Sequence, residues 1–195
     1  MRTLIIILLS ILLYSCSKES TVEGDRYFTN GDYAMAIEAY NDYLDGSPKH
    51  IKSLYNRGRS YEELGEFGKA LDDYKAVLDI DNKHVQANLS VGVDAFRNND
   101  PERALYFFGQ SVSASPENYK ALVLRGRAFH KLGNFTSAMK DFNSALQING
   151  EGGDAYFYRG IILLNSNKKK ACVDFQKASN LGIKDARKAL EKYCI

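Results

Sequence analysis

Small and aromatic residues recur at one fixed interval through most of this chain, and that interval limits the folds open to it. Gly24, Gly58, Gly92, Gly126 and Gly160 follow one another at steps of 34 residues. Ala36, Ala70, Ala104 and Ala138 keep the same step, as do Tyr40, Tyr74, Phe108 and Phe142. A fifth unit continues one residue early, at Ala171 and Phe175, so its internal turn is one residue shorter. Within a unit the apolar positions fall at helical spacing. In residues 51–84, Leu54, Arg57, Gly58 and Tyr61 share one helix face, and Ala70, Tyr74, Val77 and Leu78 share the face of a second. Gly58 and Ala70 are small enough for the two backbones to approach, and Tyr61 and Tyr74 fill the volume on either side. Gly65 after Leu64 supplies a left-handed stop between the helices. Ser47-Pro48, Asp81-Asn82, Ser115-Pro116 and Asn149-Gly150 are turn or breaker pairs that separate each unit from the next. A helix pair of this kind cannot bury its apolar face alone, so neighbouring pairs must stack.

These registers resemble the tetratricopeptide repeat (TPR) family, whose period is 34 residues. The units are 17–50, 51–84, 85–118, 119–152 and 153–185, followed by a capping helix over 184–194. The resemblance implies an all-α fold, a TPR solenoid of five helix-turn-helix repeats with a C-terminal capping helix, wound as a right-handed superhelix. The third unit departs from the others, with Ala95 in place of Tyr or Phe and Pro101 where Tyr33, Phe67 and Phe135 stand. Pro101 suits the first turn of a second helix capped by Asp100, and Phe96, Phe107 and Phe108 are expected to compensate for Ala95. The first helix of the first unit is expected from about Thr21. In the capping helix Ala186, Leu190 and Tyr193 are expected inside, with Lys184, Arg187, Lys188 and Lys192 facing water.

The chain opens differently. Met1 and Arg2 precede an apolar stretch of ten residues, Leu4 to Leu13, interrupted only by Ser10. That is about half the roughly 20 residues a membrane-spanning helix needs. A charged start, a short apolar core and a small residue at the boundary predict a secretory signal over 1–15. Leu13-Tyr14-Ser15-Cys16 resembles the lipobox of bacterial lipoprotein signals, with Tyr14 bulkier than usual there. The resemblance implies cleavage before Cys16, a diacylglyceryl group on its thiol and an acyl group on its amine. Two or three chains, at about 0.8 kcal/mol per buried methylene, hold a protein firmly at a membrane. The other reading is a plain secretory signal with a coincidental Cys. Ser17 in place of Asp after the anchor implies the outer membrane, with the domain facing the periplasm. Residues 16–20 are the lipidated Cys and a short tether, and 21–195 the repeat domain. Cys16 to Thr21 reaches at most about 18 Å when extended, which keeps the domain near its membrane.

Composition and motifs narrow the chemistry. With 26 basic and 24 acidic residues the net charge is +2, without the basic excess expected of a nucleic-acid binder. Three Cys cannot build a disulfide framework. In an exported chain Cys172 and Cys194 could form a bridge fastening the capping helix to the last repeat, or remain two small buried thiols. His50 and His84 occupy the same turn position in successive units and His130 lies on a first helix. None forms a metal-binding motif, and all three read as solvated. Gly65-Glu66-Phe67-Gly68-Lys69 fails as a phosphate loop, because the spacer is too short and Ala70 follows the Lys. Glu62-Glu63 and Asp72-Asp73 are adjacent on helices, point in different directions and read as solvated charge. No catalytic residue, metal, cofactor or small-molecule substrate is expected.

The TPR resemblance implies that the first helices line a concave groove. The second unit then offers Lys52, Tyr55, Arg59, Glu62 and Glu63; the third Gln86, Leu89, Val93, Phe96 and Arg97. The fourth offers Lys120, Val123, Arg127, His130 and Lys131, and the fifth Asp154, Phe157, Ile161, Leu164 and Asn165. Leu89, Val93 and Phe96 make an apolar strip flanked by Arg59, Arg97, Lys120, Arg127 and Lys131. Such a surface suits an extended or helical peptide with apolar anchors and acidic residues. Alternatively the strip packs under a neighbouring helix and the charges are ordinary surface. The TPR clamp for a terminal carboxylate maps to Thr21, Asp25, Asn56, Gln86 and Ser90, of which only Asn56 fits, so that ligand is not expected. The expectation is a lipid-anchored scaffold or adaptor of the cell envelope that binds envelope proteins or peptide segments. The alternative is a surface-exposed lipoprotein in nutrient capture or host contact.

Overall fold

The structure is a computed structural model that describes residues 23–194. The signal segment, Cys16, the tether and Thr21 lie outside the described residues. Those described form helices and turns, with no strand among them. Helix α1 covers 23–30. It is followed by α2 (Tyr33–Gly46), α3 (Ile51–Glu63), α4 (Phe67–Ile80), α5 (Val85–Arg97) and α6 (Pro101–Ala114). Then come α7 (Tyr119–Lys131), α8 (Phe135–Ile148), α9 (Gly153–Leu163), α10 (Lys168–Asn180) and α11 (Lys184–Tyr193). Two compact units divide the chain after Ala87.

Each unit is built on the same contact, a glycine of a first helix under an aromatic ring of the second. In the first unit a Cβ on Gly24 would come within 2.6 Å of the Tyr40 ring, and one on Gly58 within 2.9 Å of Tyr74. Ala36, Tyr40, Leu44, Leu54, Val77 and Ala87 form the core around these rings. In the second unit the corresponding distances are 2.5 Å for Gly92 to Phe108, 2.7 Å for Gly126 to Phe142 and 2.7 Å for Gly160 to Phe175. All three Phe rings are fully buried. The missing side chain lets the ring lie on the backbone, which sets the spacing of the helix pair.

Local chemistry marks the helix ends at the same period. Gly31, Gly65 and Gly133 end first helices with φ of 84°, 78° and 76°. Asn99 takes the same role at φ 60°, the one non-glycine with positive φ among the described residues. Asp100, Asn134 and Asn167 cap the second helices α6, α8 and α10, accepting from the backbone N–H of Arg103, Ser137 and Lys170 at 3.0 Å. Pro101 fills the first position of α6. The turn histidines are not idle solvated groups. His50 Nδ1 accepts from Ser53 N–H at 3.3 Å and His84 Nδ1 from Ala87 N–H at 3.1 Å, where Asn118 accepts from Ala121 N–H at 2.9 Å.

Asp73 also departs from expectation. It is 5% exposed and takes Arg57 in a two-pronged pair at 2.6 and 2.9 Å. Arg125–Asp141 and Arg159–Asp174 repeat the pair in the second unit, at 2.7 to 2.8 Å. In the third repeat the same positions hold Val91, which is buried, and Phe107, which is half-buried. Arg57 also donates to Asn41 and Arg159 to Asn143, each at 2.8 Å, tying each pair to the preceding second helix.

Helix α11 packs on α10 through Ala186 and Ala189, which are buried, and Leu190, which is half-buried. Tyr193, expected inside, is 37% exposed because Ala189 takes the inner position. A disulfide joins Cys172 to Cys194, with a Cα separation of 5.7 Å. Cys172 stands in the register of Ile37, Leu71, Leu105 and Met139, so the bridge replaces a large apolar side chain of the other repeats.

Candidate protein-interaction surface

In the first unit the first-helix face is closed by its own contacts. Asp25 on α1 accepts from Tyr40 Oη at 2.8 Å, from Asn56 Nδ2 at 2.9 Å and from Lys52 Nζ. Burial works to raise the Asp25 pKa. The hydrogen bonds from Lys52, Tyr40 and Asn56 and the Lys52 charge outweigh it, so the carboxyl titrates below its ordinary range. Burial, and then the hydrogen bond to this carboxylate, push the Tyr40 hydroxyl up. Arg59 lies over the Phe28 ring at 4.7 Å, and Tyr55 lies 5.6 Å from Tyr74 and 5.3 Å from His84. Lys52, Tyr55 and Arg59, expected to face a ligand, thus have partners within the chain. Asn56, the lone match to the carboxylate clamp, is engaged by the chain's own Asp25.

The second unit is arranged differently. Two expected groove residues belong to the core: Leu89 is 6% and Val123 5% exposed, because both turn into the helix layer. Val93 and Phe96 are half-buried, and Arg97, Lys120 and Lys131 are exposed. His130 is half-buried, with its ring 5.5 Å from Phe135, and burial lowers its pKa. Phe157 meets Tyr158 edge-on at 5.2 Å and lies 6.0 Å from Phe175.

The central feature of this face is Arg127. Its guanidinium lies 5.3 Å from the Phe96 ring on α5 and 4.8 Å from the Tyr158 ring on α9. Tyr158 is itself stacked on the buried Phe142 at 6.0 Å. Three successive first helices thus contribute a ring, a cation and a ring. Phe96 and Arg127 are expected from the sequence, whereas Tyr158 is not. Its register companions are Asn56, Ser90 and Leu124, which share no chemistry with it. Among the described residues the partners of Arg127 are rings and not a carboxylate, so the cation is oriented without being neutralised. A guanidinium held this way presents a planar set of N–H donors that match a carboxylate two-pronged. Among the described residues no group of His, Cys, Asp or Glu is placed to hold a metal ion, and no helix is long and apolar enough to cross a membrane.

A sequence profile described as tetratricopeptide repeat matches residues 21–85 and 92–154. Tetratricopeptide repeat protein 36 of Xenopus tropicalis is 32% identical over 104 residues, covering 51% of this chain and 52% of that protein. The SGT1 homolog of Oryza sativa subsp. japonica is 35% identical over 66 residues, covering 34% of this chain and 18% of that one. The chain therefore spans about half the length, or less, of these curated relatives. Among solved structures, MamA superposes with a TM-score of 0.72 at 22% identity, covering 84% of this chain and 96% of that one. YrrB, described as a TPR protein with an unusual peptide-binding site, superposes with a TM-score of 0.74 at 16% identity, covering 88% of this chain and 90% of that one. At these identities the likeness concerns the fold.

Proposed function

Since the chain belongs to the tetratricopeptide repeat family, we propose that it is a non-catalytic scaffold that binds polypeptides through the first-helix face of its second unit. The single observation that carries the reading is Arg127, aligned by Phe96 and Tyr158 and facing no carboxylate of its own among the described residues. A partner segment would lay an apolar side chain along Val93 and Phe96 and place a carboxylate on the guanidinium. The peptide-binding site for which YrrB is described supports a peptide as the class of ligand. The lipobox-like Leu13-Tyr14-Ser15-Cys16 supports a lipid tether at Cys16, which would hold the scaffold on the outer membrane, facing the periplasm, among envelope proteins.

Comparative capture from detergent-solubilised envelopes tests the groove. Phe96→Asp and Arg127→Glu should each remove partners that the wild type retains, by about tenfold or more. If both variants keep every partner, the groove assignment is wrong. Radiolabelled palmitate should enter the wild type and not Cys16→Ala, and protease added to intact cells should leave the domain whole. Removal of the domain by that protease would favour the alternative, a surface lipoprotein in nutrient capture or host contact.

A further inference from the structure

The C-terminal repeat contains a second groove whose far wall is held by a disulfide. Its floor is Phe157, Ile161 and Leu164 of α9, all half-buried, with Ala189 of α11 opposite. Asp185, Lys188 and Lys192 of α11 stand on the rim, Lys188 donating to Asp185 at 3.0 Å, and the groove encloses about 330 Å³. Besides the bridge, helix α11 is held by small contacts, Ala189 and the half-buried Leu190 against the core of Ala171 and Phe175. It has ten residues, below the roughly 12 to 15 at which helices persist alone. The side chains it buries fully are two alanines, Ala186 and Ala189. The Cys172–Cys194 bridge closes a separation of 22 residues and pins the end of α11 to α10.

The surroundings are cationic. Residues 153–194 hold nine Lys and Arg against four Asp and Glu. Two of the four acids are already paired, Asp174 with Arg159 and Asp185 with Lys188. Lys168, Lys169 and Lys170 open α10 one turn before Cys172. Three cations at a helix start oppose its dipole, so helix stability does not account for them. Lys192 adds a further cation two residues before the bridged Cys194.

We infer that the Cys172–Cys194 disulfide is the latch of a peptide groove, and that the oxidised groove takes a segment with an apolar side chain between carboxylates. The apolar side chain enters between Ile161, Leu164 and Ala189, one carboxylate meets Lys192, and the other takes the place of Asp185 on Lys188. Reduction by a dithiol breaks the S–S bond with two electrons and two protons. It leaves thiols on Cys172 and Cys194, while the reductant becomes a cyclic disulfide. Helix α11 then leaves α10, and the groove loses its wall and rim together. This rests on the proposal that the protein binds polypeptides, and adds a second subsite and its control.

Fluorescence anisotropy of the full chain, with a labelled Asp-Glu-Leu-Phe-Glu-Asp peptide as probe, tests it. The oxidised protein should bind this probe about tenfold more tightly than Lys-Lys-Leu-Phe-Lys-Lys. Dithiothreitol, or Cys194→Ser, should weaken binding about tenfold and release the α11 amides to hydrogen exchange. Lys188→Gln with Lys192→Gln removes the rim charges without setting new acids beside Asp185 and Glu191, and should weaken the acidic probe equally while the bridge and the helix content stay intact. Absence of binding by the oxidised protein, equal binding after reduction, or indifference to the rim charges would each overturn the inference. Any of these results beside a loss of envelope partners in Phe96→Asp would leave the wider scaffold proposal standing.

Discussion

At Gly126 one absent carbon atom sets the distance between two helices, since the buried Phe142 ring occupies the place a Cβ would take. The aromatic and glycine periods seen in the sequence are two halves of this contact, which is why they keep step. The turn histidines carry a subtler signal. His84 caps α5 only through a ring nitrogen free of its proton, and burial lowers its pKa, with Asp81 acting weakly the other way. An unfolded chain takes up that proton near the ordinary value of about 6.5, the folded chain only at lower pH. The stabilisation is therefore complete above about 6.5 and is lost as pH falls through the folded value. His84→Asn would supply the same cap without a titrating group, as Asn118 does in the next repeat. Thermal melts at about pH 7.5 and 5.5 should show a smaller acid-induced fall in melting temperature in His84→Asn than in the wild type. An identical loss in both proteins would contradict the role of His84 as a neutral cap.

Between helices the Arg–Asp pairs act as clamps, and the third repeat offers a natural comparison because Val91 and Phe107 replace one. Truncating Arg125 to Ala leaves Asp141, 4% exposed at its side chain, without its partner and should cost about 2 to 4 kcal/mol, since the arginine is itself a quarter exposed. The paired exchange Arg125→Val with Asp141→Phe should cost less than either single change, as apolar replacements of buried ion pairs often do. Denaturant melts of the three variants decide this, and additive costs would contradict it. These clamps were harder to read than the glycines, although they keep the same period. The series is broken in the third repeat, and in the fifth the partners are 15 residues apart instead of 16. Asp73 sits beside the exposed Asp72, so local sequence does not tell the buried carboxylate from the solvated one. The same applies to the site. Leu89 and Val123 lie on first helices at positions expected to face a ligand, yet turn inward, because helical spacing names a face without saying how wide its buried stripe is.

At the scale of the molecule, the all-α repeat class was legible because one local contact recurs in unit after unit, so errors at single positions average out. What binds was less legible. It depends on Tyr158 meeting Arg127 across 31 residues of chain, at a register position with no repeating chemistry. The central claim is that polypeptide partners meet the first-helix face of the second unit and not its second helices. Photo-crosslinking in living cells tests this most directly, because exposed positions accept a crosslinking side chain without disturbing the fold. Lys120 and Lys131 on α7 serve as the test positions, and Tyr106 on α6 and Val173 on α10, 61% and 52% exposed, as the controls. The account predicts discrete protein adducts from the α7 positions that disappear when Arg127→Glu is added, and none from the controls. Adducts from Tyr106 and Val173 with none from α7, or α7 adducts indifferent to Arg127→Glu, would contradict it.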